Sequence, residues 1–310
     1  MKQLFLFVLA GLIPSMAWGG AKASAFKKET RKGANYWNAQ AAIDGNPATA
    51  WMVPGESANR GEWILLELPK AEIDKIGIHP GWGKSDSTFK DYARIKTLKV
   101  EVLCCLDSTP MESVHTVELS VADENRFQVL DMENVKLGNE LFGGRIRLTV
   151  TDVYSGMDYP NMAVSEVLIY LKEFSVDSAV IEEVSAESDS HPGEHLRDGS
   201  TRSFWAAPQE GASFTVGADG FGLSSIGIQI GPRTHARPKK VRLVANNKEL
   251  EFDVADKTGV QWFQVPAVTG YTGSAWGSVE VQVLEVYPGS SSEEVAVSEV
   301  QVKATNYEGI

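Results

Sequence analysis

A short stretch after Ile78 is dense in aromatic and hydrogen-bonding side chains. Between positions 79 and 94 the chain contains His79, Trp82, Lys84, Asp86, Phe89, Tyr92 and Arg94. Sugars are bound by flat apolar rings, on which a pyranose ring packs, and by a few directional polar groups that meet its hydroxyls. These residue types therefore predict a binding loop for a neutral glycan.

Other aromatic residues are candidates for the same surface, because they occur in loops before and after this stretch: Tyr36, Trp37 and Tyr159. A different interpretation stays open for the loop itself. Trp82 and Phe89 can turn inward beneath it, which would leave Lys84 and Arg94 as ordinary solvated charges. The two interpretations differ in whether Trp82 is exposed.

Residues arranged for catalysis are not recognisable. The sequence contains no HExxH, GxSxG, P-loop or GxGxxG pattern, and its histidines are scattered: His79, His115, His191, His195 and His235. Carboxylates are plentiful, but a glycosidase pair cannot be told from surface residues without distances. We therefore expect a binding protein and no enzyme, with a hydrolase of unrecognised site as the remaining alternative.

The N-terminus has the features of a secretory signal. Residues 1–20 contain a basic Lys2, an apolar stretch at Leu4–Leu12, and small residues at Ala17 and Gly19. The alternative is a membrane anchor, but the apolar stretch is shorter than the roughly 20 residues that span a bilayer, and no later stretch approaches that length. We expect a secreted or periplasmic protein that is not an integral membrane protein.

Charge and cysteine content narrow the class of partner. The 29 Lys and Arg are outnumbered by 41 Asp and Glu, which gives a net charge of −12. An acidic chain is a poor ligand for nucleic acids and anionic membranes. The cysteines Cys104 and Cys105 are adjacent, so in a strand they point to opposite faces and we expect no disulfide between them.

Many short segments alternate apolar and polar residues. Residues 145–150 place Ile146, Leu148 and Val150 on one face, and similar alternation occurs around Val100 and Val281. Clusters of Gly, Pro, Asn and Ser separate these segments, and helix signals are nearly absent. The pattern predicts an all-β protein built from an antiparallel β-sandwich or barrel.

The chain also repeats itself. The segment AIDGNPATAW, which ends at Trp51, returns as HLRDGSTRSFW, which ends at Trp205. Later pairs include Val164–Val167 with Val297–Val300, and Phe127–Val129 with Phe263–Val265. We predict a signal peptide at 1–20 and two tandem domains at 21–172 and 173–310. Because each tryptophan ends a repeated motif, we expect both in the core.

Each repeat resembles a discoidin domain of the coagulation factor C-terminal type, which is a galactose-binding-like jelly roll. The resemblance rests on the DG…W opening, the Ile-Gly-Ile strand and the terminal SEV strand. The first copy is similar to the glycan-binding module joined to streptococcal NAD glycohydrolase, through Gly81–Val100 and Asp152–Val167. No stretch resembles the catalytic domain of that enzyme. The resemblance implies two tandem antiparallel β-sandwiches.

The resemblance also implies a structural calcium in the Asp-Gly loop, with a Glu from the terminal strand. In the first copy the matching residues are Asp44, Asn46, Thr49 and Glu166. In the second copy they are Asp198, either Thr201 or Ser203, and Glu299. Carboxylate, hydroxyl and carbonyl oxygens suit calcium. The alternative is an Asx turn in which the Asp binds its own backbone, with the Glu paired to a basic residue.

The second copy has a shorter loop, in which Arg233, His235 and Arg237 replace the aromatic residues. Any ligand there should be more acidic, whereas a purely structural role is the simpler reading. For the whole chain we expect a secreted carbohydrate-binding protein that binds a cell-surface or extracellular glycan mainly through its first domain. The alternative is an extracellular adhesion module that binds a protein partner.

Overall fold

The structure is a computed structural model that describes residues 20–29, 31–33, 36–55, 60–68, 71–103, 113–137, 144–176, 179–218, 221–245, 248–266 and 278–305. The expected signal sequence before Gly20 and the cysteine pair Cys104-Cys105 lie outside these residues. The description below therefore concerns the N-terminal half, residues 20–172, and the C-terminal half, residues 173–305.

The N-terminal half contains ten strands and one short helix, α1, at Asp86–Asp91. A 3₁₀ turn at Ala39–Ala42 precedes the second strand. The strands are β1 Ala21–Ala23, β2 Trp51–Val53, β3 Trp63–Leu68, β4 Ala71–His79, β5 Tyr92–Leu103, β6 Ser113–Ser120, β7 Gln128–Leu137, β8 Gly144–Tyr154, β9 Tyr159–Val164 and β10 Glu166–Leu171.

The C-terminal half contains ten more strands and a 3₁₀ turn at Gly193–Arg197. The strands are β11 Glu173–Val176, β12 Val180–Val184, β13 Trp205–Ala207, β14 Ser213–Gly217, β15 Gly222–Ile230, β16 Arg237–Ala245, β17 Lys248–Asp253, β18 Gln261–Gln264, β19 Val279–Tyr287 and β20 Val295–Thr305. The all-β fold class predicted from alternation is confirmed.

Each half packs two sheets around its own core. In the N-terminal half, a seven-stranded sheet of order β1-β3-β8-β5-β9-β2, with β6 added on β5, faces the three-stranded sheet β10-β4-β7. In the C-terminal half, β11-β20-β15-β18 with β13 on β20 faces β12-β14-β19-β16-β17. Alternation places every second residue inside, as at Ile146, Leu148 and Val150 of β8. Each half is thus a sandwich with a separate hydrophobic core.

Strand pairing is antiparallel in the described ladders, with one exception. β5 and β9 run parallel, with Tyr92 opposite Tyr159 and Ala93 opposite Met162. The matching place in the C-terminal half is a single parallel bridge between Ala236 and Val295. The purely antiparallel pairing expected from sequence is therefore corrected where β9 returns beside the start of β5.

Both repeated tryptophans are core residues, as predicted. Trp51 and Trp205 are 1% and 0% exposed. Their indole N–H groups donate to the carbonyls of Ala25 at 2.8 Å and Ala186 at 2.7 Å. A buried indole needs such a partner, and each contact fixes the first segment of its half against the sandwich.

Contacts that recur in the two halves revise the sequence alignment. The Gln128 side chain exchanges two hydrogen bonds with the backbone of Ala122, at 2.9 and 2.8 Å. Gln261 does the same with Ala255, at 2.9 Å for both bonds. Gln128 therefore corresponds to Gln261 and not to Gln264. The motif match was three residues out of register because the intervening loops differ in length.

No helix within the described residues has the length and apolarity needed to cross a membrane.

Candidate functional site

Five aromatic side chains of the N-terminal half contact one another in a line, which we call the aromatic row: Tyr36, Trp37, Trp82, Tyr92 and Tyr159. Neighbouring ring centroids lie 4.5, 5.1, 5.2 and 4.7 Å apart in that order. The first three contacts are edge-to-face, and the last is a stack with 24° between the rings. Such pairs contribute about 0.5–1.5 kcal/mol each beyond their buried area, so the row is a rigid unit.

Trp82, predicted to be an exposed sugar platform, is buried, with 7% of its surface accessible. Its Nε1 donates to the carbonyl of Ala48 at 2.9 Å. The inward-turning alternative is therefore the one observed. The physical reason is that the Trp82 indole fills a small second cluster with Ala50, Met52 and Ala163, beside the main core.

The short helix α1 explains why this loop folds inward. Ser85 caps it: the Ser85 hydroxyl accepts from the backbone N–H of Thr88 at 3.1 Å, and the Thr88 hydroxyl accepts from the N–H of Ser85 at 3.0 Å. The helix places Phe89 in the interior, 3% exposed. The Phe89 ring packs so closely on Gly81 that a Cβ there would lie 2.7 Å from it.

Arg94, predicted as a ligand residue, is a buried structural clamp. It is 7% exposed, and its Nε and Nη2 bind the two carboxylate oxygens of Asp123 at 2.6 and 2.8 Å. Its Nη1 donates to carbonyls of four residues at 2.9–3.3 Å: Phe89, Lys90, Tyr92 and Ser155. One guanidinium thus ties together the loops on either side of β5 and has no donors to spare for a ligand.

Two other predicted ligand residues are also buried. His79 is 6% exposed, its Nδ1 lies 3.2 Å from the carbonyl of Gly81, and its burial lowers its pKa. Trp37 is 4% exposed, and its indole N–H has no hydrogen-bond partner within the described residues. Both support the surface from below and do not form it.

The exposed part of the row lies at Tyr159, which is 47% exposed. The Tyr92 ring stacks beneath it and is half-buried. Met157, 77% exposed, precedes it in the same loop. Lys84 is exposed as predicted, with its Nζ 5.6 Å from the Trp82 ring centroid. Of the seven predicted ligand residues, the structure therefore presents Tyr159, Tyr92 and Lys84 to solvent.

Gly156 makes this surface possible. A Cβ at this position would lie 2.4 Å from the carbonyl oxygen of Tyr159 and 2.5 Å from that of Asp91. The close approach lets the N–H of Met157 donate to Lys90 at 3.0 Å. Only glycine permits this packing, which positions the Tyr159 loop against α1.

A second cluster of polar groups forms in the Asp-Gly loop. The Thr49 hydroxyl lies 2.9 and 2.7 Å from the two Asp44 carboxylate oxygens, 2.8 Å from the carbonyl of Asn46 and 3.5 Å from that of Ala41. Asp44 Oδ1 also accepts from the N–H of Asn46 at 2.9 Å. The Asx turn named as the alternative is therefore present, in a loop whose oxygens converge.

Glu166 completes this cluster. Its Oε2 accepts from the N–H of Gly45 at 3.3 Å, whereas its Oε1 is buried with no partner within the described residues. Burial, together with the nearby Asp44 carboxylate, raises the pKa of Glu166 to about 8. The expected pairing of this Glu with a basic residue is not found in the described part of the chain. Two carboxylates side by side with an orphaned oxygen fit a hard cation.

The loop and the aromatic row are joined. Ser165, next to Glu166, donates to the carbonyl of Pro47 at 2.9 Å and accepts from the N–H of Gly83 at 2.9 Å. The bond from Trp82 to Ala48 adds a second connection. Residues 44–49 are thus attached to both the Trp82 loop and the terminal strand.

The comparison with protein families decides the assignment. Residues 16–170, half of the chain, match the family described as the NAD glycohydrolase translocation F5/8 type C domain. The chain belongs to this family. A search of curated protein sequences gave no significant match. The F5/8 type C match confirms the discoidin-like resemblance of the first repeat.

Solved structures show only distant likeness to this F5/8 type C protein. The f-lectin (fucolectin) from striped bass serum is 13% identical, with 94% of this chain and 97% of that chain covered and a TM-score of 0.35. The family 32 CBM from C. perfringens NanJ in complex with galactose is 14% identical, with 43% and 99% covered and a TM-score of 0.33.

The arabinofuranosyltransferase AftD from Mycobacteria is 12% identical to the F5/8 type C protein, with a TM-score of 0.34. The match covers 92% of this chain and 28% of the AftD chain, so the chain spans less than a third of that enzyme. Likeness at this level says nothing about ligand or activity.

Beyond the F5/8 type C match, the C-terminal half contains a similar polar loop. The Ser203 hydroxyl donates to Asp198 at 2.5 Å, and the N–H of Gly199 donates to Glu299 at 3.1 Å. Ser203 and not Thr201 is the contacting hydroxyl, because it has the five-residue spacing of the first loop. Burial and the Asp198 carboxylate raise the pKa of Glu299. No group of three or more His, Cys, Asp or Glu that could hold a metal occurs in the described residues, so each loop offers two carboxylates.

The aromatic row has a smaller counterpart there. His191 stacks on Phe204 with centroids 4.2 Å apart, and His235 lies 4.7 Å from Phe204. Burial and the neighbouring His191 lower the pKa of His235. Arg237 repeats the buried clamp, with Asp256 as its bidentate partner at 2.9 and 3.1 Å.

Three residues that shape the site were not singled out in the sequence: Asp123, Ser165 and Met157. Ser165 carried a usable signal, since its Val-Ser-Glu-Val motif is repeated at Ser298. Asp123 carried none, because it pairs with Arg94 across 29 positions. Met157 is exposed only because Gly156 holds its loop in place.

Proposed function

We propose that this protein is a secreted carbohydrate-binding module, with its main site on the exposed end of the aromatic row. The observation that carries the proposal is Tyr159: an open ring, backed by the stacked Tyr92 and anchored through Trp82 to the sandwich. A rigid aromatic face of this kind lets the apolar side of a sugar ring pack without first ordering the side chain.

Polar groups around Tyr159 suit the hydroxyls of a neutral sugar. Asp158 is exposed on the same loop, and Asp91 and Lys84 flank it on the neighbouring one. Their mixture of donors and acceptors favours neutral glycans over strongly charged ones. We assign no catalytic step to these residues.

We further propose that the C-terminal half is a second unit of the same kind. Support comes from the recurrence of four contacts with the same partners in each half: the buried tryptophan, the glutamine hydrogen-bonded to a backbone, the arginine clamp and the Asp-Glu loop. Two weak sugar sites on one chain can act together on a multivalent surface.

We propose calcium for the Asp-Gly loop of the N-terminal half. Asp44 and Glu166 would supply carboxylate oxygens, Thr49 its hydroxyl, and Ala41 and Asn46 their carbonyls. A bound cation would hold the loop in shape. The residues themselves orient Trp82 through Ala48, and so the ion site supports the sugar surface indirectly.

A glycan array tests the sugar proposal. Wild type should bind neutral glycans, and Tyr159→Ala should lose at least ten-fold in signal with an unchanged melting temperature. Trp262→Ala is the matched control, because Trp262 is an aromatic of similar exposure, 40%, outside the row. An equal loss in both variants, or no neutral glycan bound by wild type, would refute the site and favour the protein-adhesion alternative.

A further inference from the structure

The C-terminal half contains a cavity where the N-terminal half is filled. In the N-terminal half, twelve residues connect β4 to β5, and α1 with Phe89 occupies the space above Gly81. In the C-terminal half only six residues connect β15 to β16, with no helix. The result is a cavity of about 510 Å³ beside Gly231, within the range of about 300–1,000 Å³ typical of small-molecule sites.

This cavity, which we call the basic cavity, has an unusual charge. Its lining includes Arg233, Arg237 and Lys257 with one carboxylate, Asp256. The C-terminal half as a whole has 10 basic and 20 acidic residues. A local excess of cations inside an acidic domain is a feature that composition alone would not produce.

The cations of the basic cavity differ in how far they are already used. Arg237 is 6% exposed, and its guanidinium is bound by Asp256 and by backbone carbonyls. Arg233 and Lys257 are exposed, and neither forms a salt bridge within the described part of the chain. Two free cationic groups therefore face one cavity.

Neutral hydrogen-bonding groups complete the lining. Thr201 and Thr258 contribute hydroxyls, and Gln229 a half-buried amide. Hydroxyl and amide groups recognise the alcohol groups of a sugar, whereas a guanidinium forms paired bonds with a carboxylate or sulfate.

We propose that the basic cavity binds an acidic sugar, with its carboxylate or sulfate at Arg233 and Lys257 and its hydroxyls at Thr201, Thr258 and Gln229. This inference deepens the proposed carbohydrate-binding function and rests on it. The two halves would then divide their ligands: a neutral sugar on the ring of Tyr159, and an acidic one in the cavity.

Calorimetric or NMR titration of the full chain tests this, with glucuronic acid, glucose 6-sulfate and glucose as probes. Both acidic sugars should bind at least ten-fold more tightly than glucose, and their affinity should fall with added salt. The double variant Arg233→Gln/Lys257→Gln should lose at least ten-fold. Lys239→Gln/Lys240→Gln is the control, since it removes the same charge from the outer surface of β16.

Three outcomes would overturn the proposal: no binding of either acidic sugar, equal loss in the control variant, or acetate and sulfate ions binding as tightly as the acidic sugars. The last would mean that bare charge is recognised without a sugar ring. Tyr159→Ala should leave these titrations unchanged. A failure at the aromatic row is therefore distinguishable from a failure at the basic cavity.

Discussion

The unusual protonation of Glu166 gives a quantitative prediction about stability. Its pKa is raised from 4.5 to about 8 by burial and by Asp44. Between these two values the folded chain holds a proton that the unfolded chain has released. The contribution of this proton to stability is complete below pH 4.5, and it is lost as the pH rises through 8.

The size of the effect follows from the shift. Each pH unit in this window changes the free energy of unfolding by about 1.4 kcal/mol, so between pH 5 and 8 we expect a loss of about 3.5 kcal/mol. For a unit of this size that corresponds to roughly 7–14 °C in melting temperature. Bound calcium should reverse the trend, because it pairs with the ionised Glu166 and stabilises the folded state by mass action.

Thermal unfolding measured at pH 5, 6, 7 and 8, in chelator and in calcium, tests both statements. Wild type in chelator should melt lower as pH rises, and calcium should restore most of the loss at pH 8. Glu166→Gln should flatten the pH dependence in chelator and remove the calcium effect. Glu285→Gln is the control, because Glu285 is an exposed carboxylate whose pKa is lowered by Lys239. Parallel pH profiles for wild type and Glu166→Gln in chelator would refute the reasoning.

Further predictions concern the packing beneath the row. Arg94→Lys should reduce the free energy of unfolding by about 3 kcal/mol in denaturant titrations, because an ammonium cannot reproduce the forked bond to Asp123; a loss below 1 kcal/mol would contradict the clamp. Trp82→Phe should cost about 1 kcal/mol more than Trp37→Phe by the same measurement, since only the Trp82 indole has a hydrogen bond to lose; equal costs would contradict this. Gly156→Ala should abolish glycan-array binding while the chain stays folded by circular dichroism, because a methyl group there displaces the Tyr159 loop; retained binding would oppose the site.

The sequence was informative where a property is periodic or local. The alternation at residues 145–150 predicted a strand, and it lies within β8. The resemblance brought Asp44 and Glu166 into one loop 122 positions apart, and the structure places both at Gly45. Repetition correctly assigned Trp51 to the core.

The direction of loop side chains was not predictable. Trp82, in an aperiodic loop, gives no sign of which way it points, and the six-residue helix that buries Phe89 is too short for a helical pattern. The partner of Arg94 was equally hidden, because ion pairs between distant loops depend on the completed sandwich. A residue type that suits a ligand is therefore weaker evidence than its exposure.

The hydrogen bond between Trp82 and Ala48 has a consequence for engineering this module. A designer who wished to transplant the tyrosine surface onto another scaffold would naturally cut at the ends of the Trp82 loop. That fragment would arrive without the backbone carbonyl that aligns its central indole, and without the serine that fastens both loops to the last strand. The transferable part is therefore larger than the surface it displays, and it includes the acidic turn.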